Sequence, residues 1–132
     1  MTQRNIARRP LTELQQAILD FIWATGPSTA EQVRGGLRSA RPLKDSSVRT
    51  LLRRLEVRGY VSHRIEKNAF VYRTTVPPTS VAARAVRHII DRFCAGSVEQ
   101  FLVGMVDEDV IPRREIARLA RKVREQIGRA HV

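Results

Sequence analysis

Three arginines and three hydroxyl residues recur at close spacing between residues 46 and 54 of this 132-residue chain. An arginine can donate two parallel hydrogen bonds to a guanine edge or to a phosphate, and serine and threonine hydroxyls can reach bases or phosphate oxygens. The chemistry that these side chains offer is therefore recognition of a nucleic acid. The set comprises Ser46, Ser47, Arg49, Thr50, Arg53 and Arg54.

A helix over Lys44–Gly59 would hold these side chains on one surface. Apolar residues recur there at the i, i+3, i+4, i+7 spacing that is typical of a helix packed by one face, which leaves the arginines outside. Asp45 or Ser46 is expected to cap the start, and Gly59 to end the helix in a left-handed conformation. An ordinary helix with a solvated basic face, Arg58 included, would show the same pattern. The apolar positions are Val48, Leu51, Leu52 and Leu55.

Two further helices are predicted before this basic one. Thr12 and Gln15 have the spacing of a capping box, in which each side chain bonds the other residue's backbone amide, and so do Ser28 and Glu31. Two capped helices followed by a basic third helix have the order of a helix-turn-helix. In that arrangement the third helix enters the major groove of DNA.

Alternating polarity after residue 59 predicts two strands. Tyr60–Glu66 and Phe70–Thr74 would pair through a turn at Lys67–Ala69, because asparagine tolerates left-handed geometry. A hairpin directly after the third helix completes a winged helix-turn-helix over residues 1–76, whose hairpin lies on the neighbouring DNA backbone or minor groove. The contacts predicted outside the third helix are Arg64 and Lys67 in the hairpin and Thr29 at the start of the second helix.

The charge of the chain favours a polyanionic partner. Lys and Arg number 24 against 13 Asp and Glu, which gives a net charge of +11. Residues 1–75 carry +8 of this charge and residues 76–132 carry +3, so most of the basic excess lies with the predicted winged helix. Charge alone also allows a sequence-nonspecific architectural nucleic-acid-binding protein, and winged helices serve as protein-interaction modules too.

Two adjacent prolines, Pro77 and Pro78, mark the predicted boundary between two domains, because they interrupt both strands and helices. Residues 77–132 are expected to form three helices, the first capped by Thr79 or Ser80. So short a segment rarely buries enough apolar surface alone, so its stripes are predicted to pack against a second copy of the chain. Packing against their own winged helix is the alternative. The predicted dimerisation residues are Val86, Ile89, Ile90, Phe93, Phe101, Leu102, Met105, Ile116, Leu119 and Val123.

The sequence contains no catalytic or metal-binding constellation. His63, His88 and His131 are scattered, without a second ligand pair at metal-ligand spacing, and no glycine-rich phosphate loop is present. We therefore expect no enzyme activity, no metal and no cofactor. No apolar run is long enough to span a membrane, no apolar signal region follows the basic N-terminus, and Cys94 is the single cysteine. These features predict a cytoplasmic protein without a membrane partner.

The order of motifs resembles the penicillinase-repressor family of winged-helix regulators, which includes BlaI, MecI and the copper-responsive CopY. The resemblance rests on LTELQQAILDFIW in the first helix, SSVRTLLRRLEVRGYV in the third, FVYR in the hairpin and IIDRFCAGSVEQFLVGMV after the prolines. It covers roughly residues 10–127 and includes both domains in the same order. It implies a homodimeric repressor that binds a palindromic operator, an inverted repeat in double-stranded DNA, and blocks transcription.

The resemblance also implies roles for residues of the third helix. Arg53 stands where the family usually has an apolar residue, which implies an added phosphate contact or a changed base preference. The family's Thr-x-x-Thr step falls on Ser47 and Thr50, the polar residues beside that step on Ser46 and Arg49, and the helix arginine on Arg54.

Two departures from the family concern the signal that relieves repression. Beta-lactam-responsive members are cut at an Asn-Phe bond in the dimerisation domain, where this chain has Gly104 and Met105. Copper-responsive members carry paired C-terminal cysteines, which this chain lacks. Relief by an upstream protease or by a ligand sensor is therefore left open.

Overall fold

The computed structural model of the protein describes residues 9–130, so His131 lies outside the described residues. The fold is mainly helical with a small antiparallel sheet, and the winged-helix prediction is confirmed. The helices are α1 (Glu13–Thr25), α2 (Ala30–Leu37), α3 (Asp45–Val57), α4 (Pro78–Phe93), α5 (Val98–Asp107) and α6 (Ile116–Ala130), the last preceded by a 3-10 turn at Arg113–Glu115. The strands are β1 (Ser28–Thr29), β2 (Val61–Glu66) and β3 (Ala69–Thr74).

The N-terminal unit has one apolar core to which α1, α2 and α3 each contribute a face. The predicted stripe of α3 is confirmed at Val48, Leu52 and Leu55, which are fully buried, while Leu51 packs against the core and is partly buried. Leu19 of α1 is also fully buried. Its burial follows from the position of α1, which packs against α2, α3 and β3 and therefore covers a wide arc.

Of the three helix starts predicted in the N-terminal unit, two are displaced by one residue. The Thr12–Gln15 capping box is confirmed. The box predicted at Ser28 and Glu31 is wrong: Thr29 caps α2, and its partner is Gln32. The predicted cap of α3 is wrong as well, because Lys44 occupies the N-cap without a side-chain hydrogen bond and Asp45 is the first helical residue.

The sheet consists of the predicted hairpin β2–β3 and of β1, in the order β1-β3-β2. The hairpin turns at Lys67 and Asn68, both with left-handed φ angles of 49° and 63°, which suit a two-residue turn between paired strands. Strand β1 was not predicted, because two residues carry no periodicity. Ser28 pairs there with Tyr72, and its buried hydroxyl donates to the Gly26 carbonyl at 2.8 Å.

Gly59 ends α3 as predicted. Its φ is +82°, its amide donates to the Glu56 carbonyl at 3.0 Å, and the Tyr60 amide donates to Leu55 at 2.9 Å. These two bonds form the Schellman pattern, which pairs helix-end carbonyls that would otherwise lack partners. The motif fixes the direction in which the chain leaves α3 and enters the hairpin.

Substitution of Gly59 by alanine is expected to lower the free energy of unfolding by about 1 kcal/mol. An L side chain in a left-handed conformation costs about 1–2 kcal/mol. Part of this cost is offset because alanine has a lower conformational entropy than glycine in the unfolded chain. Urea unfolding would measure the change. Gly35→Ala is the matched control, because Gly35 is helical and an added Cβ there meets no atom within 4 Å. That control should be neutral or stabilising, and equal destabilisation by both changes would contradict the argument.

Helix α4 begins at Pro78, so Thr79 and Ser80 lie within its first turn and the predicted cap at these residues is wrong. Proline suits a first helical position because the amide that it lacks would have no partner there. Val81 joins the core of the N-terminal unit. The chain divides into two compact units between His88 and Ile89, so residues of α4 belong to both units.

The C-terminal unit leaves most of its predicted apolar stripes exposed in the single chain. Ile90 is buried, whereas Phe93 is 72% exposed and Val123 55% exposed. The α6 stripe, predicted to pack against a second copy of the chain, is exposed in the single chain. Ile89, Leu102, Ile116, Leu119 and Ile127 are also exposed, and Val86, Phe101 and Met105 are partly buried.

Candidate nucleic-acid interface

Burial of the apolar stripe fixes which side of α3 faces solvent. Because Val48, Leu52 and Leu55 are fully buried, the helix cannot rotate without exposing them. The opposite side presents the residues that the sequence singled out. Of these, Ser46, Arg49, Arg53 and Arg54 are exposed, and Ser47 and Thr50 are partly exposed.

Two local interactions orient polar groups on this face. The Arg49 guanidinium lies 3.2 Å from the Asp45 carboxylate one turn earlier. The Thr50 hydroxyl donates to the Ser46 carbonyl at 2.9 Å, so the hydroxyl oxygen remains able to accept a bond from outside. Asp45 therefore holds Arg49 near the first turn of α3, where a base-edge contact would be made.

A groove lies between α3 and the hairpin, and it brings together predicted DNA contacts from α2 and α3 with a residue of the hairpin turn. Thr29 lines it from the start of α2, Arg49 and Arg53 line it from α3, and Asn68 lines it from the hairpin turn. The Thr29 hydroxyl already accepts a bond from the Gln32 amide of its own helix. Arg64 and Lys67 are not among the residues that line this groove.

The same groove contains groups that the sequence analysis did not single out. His63 Nδ1 lies 2.7 Å and 2.8 Å from the two Glu56 carboxylate oxygens, and the imidazole stacks on Phe70 with ring centroids 4.2 Å apart. Glu31 lines the groove as well. The spacing between Arg53 and Glu56 on one helix face, with His63 in the strand that follows the helix, was the available sequence signal.

Tyr72 closes the inner wall of the groove. Burial raises the pKa of its phenol above the ordinary value of 10.0, and the Glu56 carboxylate raises it further, while Arg53 and Arg49 act in the opposite direction. The phenol is therefore protonated at neutral pH. The wall of the groove beside α3 thus carries a neutral aromatic side chain rather than a third anionic group.

The hairpin carries the other predicted backbone contacts. Arg64 forms an ion pair with Glu66 at 2.8 Å on the same strand. Lys67 is exposed at the turn and has no ion pair with any described residue. Lys67 is thus the more available of the two cations for a phosphate.

Arg58 is not part of the outward face, contrary to the prediction. Its guanidinium donates to Gln15 Oε1 at 3.4 Å and to the backbone carbonyl of Arg9, and it lies 5.3 Å from the centroid of the Tyr60 ring. The last turn of α3 has come round toward α1 at this position. Arg58 therefore ties α3 to the chain segment before α1.

Among residues 9–130, no cluster of His, Cys, Asp or Glu has a geometry that could hold a metal ion. Nor does any helix in that range combine the length and apolar character needed to cross a membrane.

The basic side of α3 faces solvent with the hairpin beside it, which is the arrangement of a winged helix. Together with the family match that follows, it indicates a DNA-binding transcriptional regulator of the repressor type. The family model described as "Penicillinase repressor" matches residues 11–125, and the chain belongs to that family. The methicillin resistance regulatory protein MecI of Mammaliicoccus sciuri is 17% identical over 109 residues, 83% of this chain and 89% of MecI.

Two solved structures are similar to this chain, and the first of them shows the likeness of the fold. The hsRosR-S4 complex structure has a TM-score of 0.51 at 18% identity, covering 82% of this chain and 95% of that one. The solution structure of the DNA-binding domain of the repressor BlaI has a TM-score of 0.48 at 20% identity, covering 52% of this chain and 84% of that one.

Proposed function

We propose that this protein is a homodimeric repressor that occupies an inverted-repeat operator and blocks transcription there. Helix α3 would enter the major groove and the hairpin would lie on the flanking backbone. The observation that carries the proposal is the fixed orientation of α3, whose three fully buried residues leave Arg49, Arg53 and Arg54 outward. Acting on chromosomal DNA places the protein in the cytoplasm, and this role requires no enzyme activity and no cofactor.

Within this proposal, Ser46, Ser47, Arg49 and Thr50 read bases or adjacent phosphates. The backbone contacts come from Arg53, Arg54, Arg64, Lys67 and Thr29. Arg53 lines the groove beside the hairpin and is exposed, which supports a phosphate contact there.

The exposed apolar stripes of the C-terminal unit support the dimer. Soluble chains rarely leave contiguous apolar faces in water, and a second copy is the partner that symmetric oligomers use most often. Dimerisation would present two copies of α3 to two half-sites about one helical turn apart. We assign DNA binding to residues 1–76 and dimerisation to residues 77–132.

Selection of genome fragments by the purified full chain at about 150 mM salt tests the function. We expect the retained fragments to share one inverted repeat, because bidentate contacts from two α3 helices discriminate bases at two symmetric positions. A pool without a shared sequence, bound only at low salt, would overturn the proposed operator binding.

A sequence-nonspecific architectural protein is the second candidate, and the net charge of +11 is the observation that favours it. Non-specific binding comes almost entirely from phosphate contacts and released counterions, so it depends steeply on salt and is indifferent to sequence. The ratio of operator to random-duplex affinity at fixed salt separates the two candidates. A ratio of about 10³ or more is typical of specific regulators, and a ratio near one would establish the architectural function.

Alanine substitutions at Arg49 and Lys67 should have different effects on DNA binding. Arg49→Ala should cost about 1–3 kcal/mol on the operator and relax base preference at one position per half-site, because a guanine-binding fork is lost. Lys67→Ala should weaken operator and random duplex by the same factor, because it removes only a phosphate contact. Fluorescence anisotropy with single-position operator variants would measure both. A uniform loss across sequences for both variants would show that the roles are wrongly divided.

A further inference from the structure

A second groove lies on the other side of α3 and is strongly basic. It runs between the chain segment before α1 and the second half of α3. Its lining includes four guanidinium groups and no carboxylate, and we call it the four-arginine groove. The four residues are Arg9, Arg53, Arg54 and Arg58, of which Arg53 also lines the groove beside the hairpin.

The groove beside the hairpin has a different charge balance. Its two guanidinium groups, from Arg49 and Arg53, share the lining with the carboxylates of Glu31 and Glu56. Opposite charges in one groove weaken the field that a phosphate would feel. The lining of the four-arginine groove has no such carboxylate, so it attracts a polyanion more strongly than the groove beside the hairpin.

Arg58 lines the four-arginine groove and connects α3 to the chain segment before α1. Its Nη1 donates to Gln15 Oε1, its Nη2 donates to the carbonyl of Arg9, and its buried Nε has no hydrogen-bond partner among the described residues. These acceptors are neutral, so they leave the positive charge of Arg58 in place. Gln15 is itself held by the Thr12 amide at 3.0 Å, which anchors this connection to the start of α1. Arg58 is therefore a positioning residue that sets Arg9 opposite α3.

We propose that the four-arginine groove holds the phosphate backbone of the DNA strand that flanks α3 on the side away from the hairpin. A helix of 10–12 Å diameter fills a major groove about 12 Å wide, so a phosphate strand lies along each side of it. The hairpin contacts one of these DNA strands, and the four-arginine groove contacts the other. This inference rests on the proposed function, and it adds Arg9 and Arg58 to the interface.

Salt dependence of binding tests the groove in the full chain. The variant is the Arg9→Gln, Arg54→Gln double substitution, since both side chains are exposed and their loss should leave the urea midpoint unchanged. Each phosphate contact contributes about 0.9 to the slope of log affinity against log salt. The double variant should therefore lose about 1.8 in slope per bound chain. The factor by which its DNA affinity falls below that of the wild type should be roughly 12-fold smaller at 200 mM salt than at 50 mM salt.

Arg121→Gln is the control, because Arg121 is an exposed arginine of α6 that lines neither groove. Ethylation interference on the operator should in addition identify, on both strands of each half-site, phosphates whose ethylation prevents binding of the protein. The double variant should lose the interference on the strand away from the hairpin.

Two results would overturn this inference, and with it the backbone contact assigned to Arg54, while the proposed repressor function stands. One is a double variant with the slope of Arg121→Gln on an operator that the wild type still binds specifically. The other is interference confined to the hairpin side. If no operator is found, the same slopes on a random 30-base-pair duplex still decide the point, because phosphate contacts are made on any sequence. An unchanged slope there would overturn the groove, and a reduced slope would support it although the operator proposal had failed.

Discussion

Replacing Leu52 by alanine is expected to lower the free energy of unfolding of the N-terminal unit by about 2–5 kcal/mol. Leu52 is fully buried in the core to which α1, α2 and the sheet also contribute. Its truncation removes apolar contacts and leaves a cavity that close-packed neighbours fill only in part. Because the whole stability of such a domain is about 5–15 kcal/mol, this single change consumes a large share of it.

Fluorescence of the single tryptophan during urea unfolding would measure this loss. Trp23 packs against the same core and donates to the Val76 carbonyl at 3.1 Å, so its signal reports the N-terminal unit. Val57→Ala is the control, since Val57 belongs to the same helix but is 77% exposed. It should change stability by less than about 0.5 kcal/mol. If both variants unfolded at the same urea concentration, the inward face of α3 would have been wrongly identified.

The Leu52→Ala substitution should also weaken recognition of the operator. The outward direction of Arg49 depends on the burial of the opposite side of the helix, so a loosened core loosens the position of the guanidinium. We expect operator affinity to fall more than random-duplex affinity, because base contacts need tighter geometry than phosphate contacts.

Features of the fold that rest on local spacing were predictable from the sequence. The apolar period of α3, the Thr12–Gln15 capping box and the left-handed Gly59 each depend on residues within a few positions of one another. The hairpin turn at Asn68 belongs to the same group. Such local rules identified α3 and its outward residues, which is most of the candidate site.

Features that depend on distant segments were not predictable in the same way. Strand β1 exists because Ser28 meets Tyr72, a residue 44 positions away in the chain. Arg58 turns inward because Gln15 and the Arg9 carbonyl lie within reach of it, and periodicity alone placed it on the basic face. The carboxylate of Glu31 likewise comes to line one groove with Arg53 only in the folded chain. The positions of Arg58 and Glu31 each change the charge of a groove, so the uneven charge on the two sides of α3 required the structure.

Introducing a glutamate at Val123 should convert the protein to a monomer and weaken operator binding by about 10²–10⁴-fold. Val123 lies on the α6 stripe and is 55% exposed in the single chain. Under the proposed dimer this stripe is covered by the partner, and a carboxylate buried there without a counter-ion is strongly unfavourable. A monomer binds each half-site separately and loses the effective concentration that links two sites in a dimer, which accounts for the size of the effect. Sedimentation velocity at micromolar concentration and operator titration at fixed salt would measure the two changes.

Ala117→Glu separates loss of the dimer from simple repulsion of DNA. It adds the same single charge to an exposed position of α6 more than a quarter of a turn from the stripe. This control should remain dimeric and lose affinity only by the small factor that one remote charge produces at 150 mM salt. A Val123→Glu protein that stayed dimeric would show that another surface forms the interface. A monomeric variant with wild-type operator affinity would show instead that one copy of α3, held by both backbone strands, is sufficient for recognition. In that case contacts with the phosphate backbones of both DNA strands beside α3, rather than the two-fold symmetry of a dimer, would be the source of the affinity.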